Sequence, residues 1–106
     1  MLKETKTEKI PNLLVKIKEC IAKGQYRFSN HAFDRGKERF LSLPNVLEIL
    51  NNGYHEKAKD KWESAFKAWN YAIRGNTINN EPFRIIVSFE DCCLLIITVI
   101  NLGAKL

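Results

Sequence analysis

The chain has 106 residues, 45% of them hydrophobic and 27% charged, which fits one soluble globular domain and excludes a disordered or collagen-like chain. Its longest apolar run, Cys92–Ile100, spans nine residues, about half of the ~20 that a membrane helix needs, and Met1–Lys9 has no apolar stretch of the kind a secretory signal requires. Lys and Arg outnumber Asp and Glu by 17 to 12, and the whole excess sits in Met1–Ser42, a one-sided distribution that suits an anionic partner or, equally, a solvated basic surface.

Met1–Lys9 alternates Lys with Glu and Thr and reads as a frayed, polar start to a single domain covering 1–106. Residues 10–24 add an N-terminal helix, Pro11 to Lys23, with Leu14, Ile17 and Ile21 on one face, Pro11 in the first turn and Gly24 just past the end. Gln25–Phe28 is short and aromatic, as an edge strand is. Ser29 or Asn30 caps a second helix, His31–Phe40. Ser42 and Pro44 open a third, carrying Val46, Leu47, Ile49 and Leu50 and stopping at Asn51-Asn52-Gly53. Beyond Gly53 the period changes from helical to alternating. Tyr54–Asp60 is taken as a strand followed by a loop, although Trp62, Phe66 and Trp69 also fit a helix. Trp69–Gly75, Phe83–Phe89 and Cys93–Ile100 then read as a three-stranded antiparallel meander with turns at Gly75-Asn76 to Pro82 and at Glu90-Asp91. Helices first and strands after predict an α+β two-layer domain, with N-terminal helices packed on a three- to four-stranded antiparallel sheet.

Three cysteines, an odd number with Cys92 and Cys93 adjacent in a strand, predict reduced thiols, a cytoplasmic setting and no disulfide. The chain has no Cys/His spacing for zinc, no P-loop and no dinucleotide fingerprint, so no metal or cofactor is expected.

The second helix carries the most chemistry. At 100° per residue, Phe33, Gly36 and Phe40 form one stripe, and His31, Arg35 and Arg39 lie opposite with Glu38. One imidazole beside two guanidiniums suits a phosphodiester: the guanidiniums hold phosphate oxygens and the imidazole moves a proton. A short exposed helix with Arg–Glu pairs accounts for the same pattern without chemistry. Arg74 and Arg84 each interrupt an apolar strand and need a partner or a groove; Glu56 is a candidate partner. They share a face if the connection between their strands has odd length. Thr98 is the polar residue within Leu94–Ile100. Lys57, Lys59 and Lys61 alternate, so on one strand they form either a solvated row or a phosphate track. His55, beside Glu56 and Lys57, is placed at the surface or in a supporting role.

Phe28-Ser29-Asn30-His31-Ala32-x-x-Arg35-x-x-x-Arg39-Phe40, the helix end Asn52-Gly53, Trp69-x-Tyr71-Ala72-Ile73-Arg74-Gly75, Arg84-Ile85-Ile86-Val87-Ser88-Phe89 and Ile97-Thr98-Val99-Ile100 together resemble a family of small bacterial proteins catalogued as a domain of unknown function. That family is similar to the BrnT and RelE toxins of toxin–antitoxin modules. The resemblance spans roughly Gln25–Asn101. It implies a RelE-like fold and metal-independent RNA cleavage, in which a 2′-hydroxyl attacks the adjacent phosphate to leave a 2′,3′-cyclic phosphate and a 5′-hydroxyl. His31, Arg35, Arg39, Arg74, Arg84 and Thr98 carry over onto the motif positions. The expectation is therefore an endoribonuclease toxin with His31, Arg74, Arg84 and Thr98 catalytic. Arg35, Arg39, Lys57, Lys59 and Lys61 would bind RNA, free or on the ribosome, and a cognate antitoxin or inhibitor protein would restrain the enzyme. No membrane or DNA partner is expected. Two other readings stay open: a non-catalytic basic module that docks RNA or an acidic protein, and a nuclease domain separated from a larger delivered toxin.

Overall fold

The computed structural model describes residues 6–32, 34, 41–91 and 93–103. Helix α1 (Leu13–Ala22) starts two residues later than Pro11, because Asn12 adopts a left-handed conformation (φ 53°) that helical geometry does not continue. Its end follows the expected signal. Gly24 takes φ 70°, the Gly24 N–H donates to the Ile21 carbonyl and the Gln25 N–H donates to the Cys20 carbonyl, a Schellman closure. Strand β1 (Tyr26–Phe28) follows. The Ser29 hydroxyl oxygen then accepts from the Ala32 N–H at 3.0 Å and caps a helical turn that includes residues 30–32 and 34. Helix α2 (Leu43–Asn52) is capped by Ser42, with Pro44 in its first turn.

After α2 come β2 (Tyr54–His55), a 3₁₀ turn (Lys57–Lys59), β3 (Lys61–Glu63), β4 (Ala68–Asn76), β5 (Pro82–Glu90) and β6 (Cys93–Asn101). Strands β4, β5 and β6 form the expected antiparallel meander. The sheet around them is larger and differently built than expected. It has six strands in the order β1-β6-β5-β4-β2, with β3 also paired to β4. It is mixed, because β1 runs parallel to β6. The expected strand over Tyr54–Asp60 is likewise corrected. Only Tyr54 and His55 pair with β4, and the 3₁₀ turn lifts the chain off that edge before β3 rejoins it at Ala68–Asn70.

The register sorts every strand residue onto one of two faces. Tyr71, Ile73, Phe83, Ile85, Val87, Leu94, Ile96 and Val99 are buried beneath Leu13, Ile17 and Cys20 of α1, Val46, Ile49 and Leu50 of α2, Ala32 and Leu41. Burying each such Ile, Leu or Phe fully is worth about 1.5–3 kcal/mol. The α2–β4 approach depends on glycine. A Cβ on Gly53 would meet the carbonyl oxygens of Arg74 and Ile49 at 2.6 Å each. Gly53 has φ −77°, so close packing rather than left-handed backbone selects it. Helices α1 and α2 therefore pack on one face, and among the described residues no helix covers the other. A bulge between Ile86/Val87 and the Ile96–Thr98 stretch shifts the β5–β6 register on that sheet.

Cys20 is buried and Cys93 half-buried, both as free thiols, and burial pushes the Cys20 thiol above its usual range; Cys92 lies outside the described residues. No helix among the described residues is long and apolar enough to cross a membrane.

Candidate phosphate-binding face

Alternation along β4 and β5 sends Ile73 and Ile85 into the core and therefore sends Arg74 and Arg84 to the opposite, open face. The two arginines are directly opposed in the ladder. Thr98 sits on the same face, opposite Ile86, one diagonal step from Arg84. Three of the expected catalytic residues thus share one side of the sheet. Two like charges facing each other across a ladder repel, and a carboxylate offsets this. Glu56 accepts two hydrogen bonds from Arg84, Nε to Oε1 at 2.7 Å and Nη2 to Oε2 at 3.0 Å, and its Oε2 lies 3.6 Å from Arg74 Nη1. The Arg84 bonds outweigh burial and hold the Glu56 carboxyl below its ordinary range, while Glu56 in turn raises Arg84. The side chains of Arg84 and Glu56 are each 16% exposed, against 40% for Arg74. Arg84 is therefore a tied guanidinium, and Arg74 is the one presented to solvent. Two cations to one anion leave the row net positive.

His31 is exposed, in the turn capped by Ser29. That turn is anchored at the bulge of β6: the Ser29 N–H donates to the Ile96 carbonyl at 2.9 Å and its hydroxyl to the Ile97 carbonyl at 2.7 Å. The His31 turn accordingly leaves the sheet at Ile96–Ile97 of β6, and its Ala32 is buried in the core beneath the helices. Among the described residues no hydrogen bond or ion pair joins His31 to Arg74 or Arg84. Arg35 and Arg39 lie outside the described residues. Lys57, Lys59 and Lys61 are exposed but do not form one strand row, because the first two belong to the 3₁₀ turn and only Lys61 enters β3. The row inferred from their alternation is corrected on that ground.

A second polar cluster lies at the opposite side of the β2 edge. The Asp60 side chain is fully buried. Its Oδ1 accepts from the Ala72 N–H at 2.9 Å, and its Oδ2 lies 2.7 Å from His55 Nε2 and 3.0 Å from Lys9 Nζ. His55, placed at the surface or in a supporting role from the sequence, is largely buried, its ring edge-on to Tyr71 at 5.8 Å. The N-terminal segment straps over this edge. Trp69 Nε1 donates to the Thr7 carbonyl at 2.8 Å, the Ile10 N–H donates to the Tyr71 hydroxyl at 3.0 Å, and Lys9 Nζ stands 4.7 Å over the Trp69 ring. From residue 7 onward the polar start is thus held to the sheet; residues 1–5 lie outside the described part.

Glu56 was visible in the sequence as an arginine partner only, and Tyr54 not at all. The available signal was parity: residues two apart on a strand share a face. Tyr54 opposes Arg74 in the register and is 55% exposed. Asp60 gave no signal, since Lys59 and Lys61 flank it. Residues 28–101 match a protein family described as Domain of unknown function (DUF4258). No curated protein matches the chain.

Proposed function

We propose that this chain, which belongs to the DUF4258 family, is a metal-independent endoribonuclease of the toxin–antitoxin kind, with a RelE-like arrangement of helices on one face of its sheet. The observation that carries the reading is the directly opposed pair Arg74 and Arg84 on the sheet face that the helices leave open, with Thr98 diagonal to it. A phosphodiester is the dianion-like partner that two adjacent guanidiniums recognise when its charge grows in the transition state. In the reaction, the RNA 2′-oxygen forms a bond to the adjacent phosphorus and the bond from phosphorus to the 5′-oxygen breaks. The 2′-hydroxyl proton passes to a base and the departing 5′-oxygen takes a proton from an acid, leaving a 2′,3′-cyclic phosphate and a 5′-hydroxyl. His31 fills one of these two proton-transfer roles. Thr98 orients the phosphate, and Arg35, Arg39 and the lysines Lys57, Lys59 and Lys61 hold the flanking backbone. The reaction takes place in the cytoplasm, on RNA free or ribosome-bound, and an antitoxin or inhibitor protein restrains it.

A second reading, a non-catalytic basic module for RNA or an acidic protein, is favoured by one observation. Arg84 already spends two N–H groups on Glu56, as a structural ion pair does. Cleavage of a mixed-sequence RNA with EDTA present throughout separates the two. His31→Ala is expected to fold, bind RNA and cut at least about a hundredfold more slowly. Arg74→Ala is expected to lose binding and cleavage together, and is preferable to Arg84→Ala, which would strand the Glu56 carboxylate. A wild type that binds RNA without cutting it establishes the binding module. A His31→Ala variant that cuts at the wild-type rate removes His31 from the mechanism.

A further inference from the structure

Register alone aligns Tyr54, Arg74, Arg84 and Ile100 in one row across β2, β4, β5 and β6. Glu56 continues the β2 edge, its N–H donating to the Ala72 carbonyl at 2.8 Å, and its carboxylate reaches both arginines of the row. In order, the row offers an exposed aromatic ring, a guanidinium with room on its outer side, and a carboxylate fixed by a second guanidinium. Tyr54 takes no part in the core, so packing does not explain an aromatic residue there.

We propose that this row is a subsite for one unpaired ribonucleotide, in which Tyr54 stacks on the base, Arg74 takes the phosphate and Glu56 accepts the proton of the 2′-hydroxyl. The proposal rests on the ribonuclease reading and supplies it with a base. Arg74 pairs with Glu56 only at 3.6 Å and is 40% exposed, so the guanidinium keeps an outer side on which an oxyanion can bind. Arg84 spends two N–H groups on Glu56 and acts by holding that carboxylate in place. In a reactive conformer the 2′-oxygen lies about 3–3.5 Å from phosphorus. A phosphate seated on Arg74 therefore brings its own 2′-hydroxyl to the carboxylate beside the same guanidinium. The 2′-O–H bond breaks toward Glu56, the bond from the 2′-oxygen to phosphorus forms, the bond from phosphorus to the 5′-oxygen breaks, and the 5′-oxygen takes a proton from an acid. The charged and titratable groups facing Glu56 are Arg74, Arg84 and Tyr54, whereas His55, Asp60 and Lys9 belong to the cluster on the other side of β2. With two arginines on it, Glu56 stays ionised as the solution is acidified from neutrality. Stacking on Tyr54 requires a base that has left its helix, so the substrate is single-stranded RNA.

The test is kcat and KM in EDTA on a single-stranded RNA and on its duplex, for wild type, Glu56→Gln, Tyr54→Ala and Tyr54→Phe, with circular dichroism as the folding control. Glu56→Gln is expected to lower kcat about 10²–10⁴-fold with little change in KM. Tyr54→Ala is expected to raise KM roughly tenfold or more, with Tyr54→Phe close to wild type. The duplex should resist cleavage. Wild-type kcat should hold level from about pH 7 to about pH 5, where a base titrating near neutrality loses about tenfold per unit. This pH profile decides the matter even if Glu56→Gln fails to fold. A tenfold loss per unit, a duplex cut as fast as the single strand, or a folded Glu56→Gln variant cutting within about threefold of wild type overturns the proposal while leaving the ribonuclease reading intact. A wild type that cuts no RNA overturns both.

Discussion

Asp60 offers the sharpest test of the structural account, because one buried carboxylate holds three separate parts of the molecule. It binds the backbone of β4 through the Ala72 N–H, the end of β2 through His55, and the N-terminal strap through Lys9. Asp60→Ala removes all three at once. The Ala72 N–H loses its acceptor, which costs about 1–3 kcal/mol for a buried donor. His55 Nε2, on a side chain only 12% exposed, loses its partner at a similar cost of about 1–3 kcal/mol. Lys9 is 35% exposed and turns to water, so its share is below about 1 kcal/mol. The sum is roughly 2–7 kcal/mol, a large part of the ~5–15 kcal/mol that holds a domain of this kind together. At about 4–8 °C per kcal/mol the melting temperature should fall by at least about 8 °C. Urea denaturation followed by tryptophan fluorescence measures it directly, since Trp62 and Trp69 pack edge-to-face at 5.7 Å near this edge. Lys9→Ala should move the midpoint by less than about 1 kcal/mol in the same assay. A loss below about 1 kcal/mol for Asp60→Ala would refute the claim that this carboxylate organises the edge.

Two further outcomes follow from the packing and from the ion pair. Gly53→Ala should cost about 1–3 kcal/mol in a thermal melt, since its Cβ meets two backbone carbonyls at 2.6 Å, while Gly75→Ala, whose Cβ meets Ile49 Cγ2 at 3.1 Å and the Gly53 Cα at 3.3 Å, should cost less; equal melting of Gly53→Ala and wild type would contradict the close α2–β4 approach. Arg84 lowers the folded-state pKa of Glu56, so its contribution to stability is complete above the ordinary carboxylate value of about 4.3 and is lost as pH falls through the lowered value. Urea midpoints of wild type and Glu56→Gln should therefore differ at neutral pH and draw together as the pH falls below the ordinary carboxylate range, and a gap independent of pH would remove the ion pair as its cause.

Strands β4, β5 and β6 were legible because Phe83, Ile85 and Val87 alternate with Arg84, Ile86 and Ser88, which states both the strand and its buried side. Helix α2 was legible from Ser42, Pro44 and Gly53, although the reason for Gly53 was close approach rather than its turn. Strand β1 has three residues, too few to show a period, and its parallel pairing with β6 is set by the path of the chain between them. For the arginines, parity set only a condition for a shared face, and both that face and their direct opposition depended on the turn between β4 and β5. The lysine row failed because the 3₁₀ turn at Lys57–Lys59 breaks the alternation on which it rested. Asp60 was hidden by its own neighbours. A carboxylate between two lysines looks solvated until the turn that precedes it folds it under β4.

The N-terminal strap lies outside the stretch shared with the family, which begins at residue 28, and its hydrogen bonds to Tyr71 and Trp69 close loops of 61 and 62 residues. Loop closure of that span repays its entropy only once its target surface exists, so the strap docks after β3 and β4 have paired. It is also the segment able to detach with the core intact, since its attachments are few and partly exposed. In hydrogen-exchange terms the molecule holds two protection tiers. The Ile10 amide opens with the strap at a fraction of the global free energy, while the amides of β5, between two long strands, exchange only when the whole sheet comes apart.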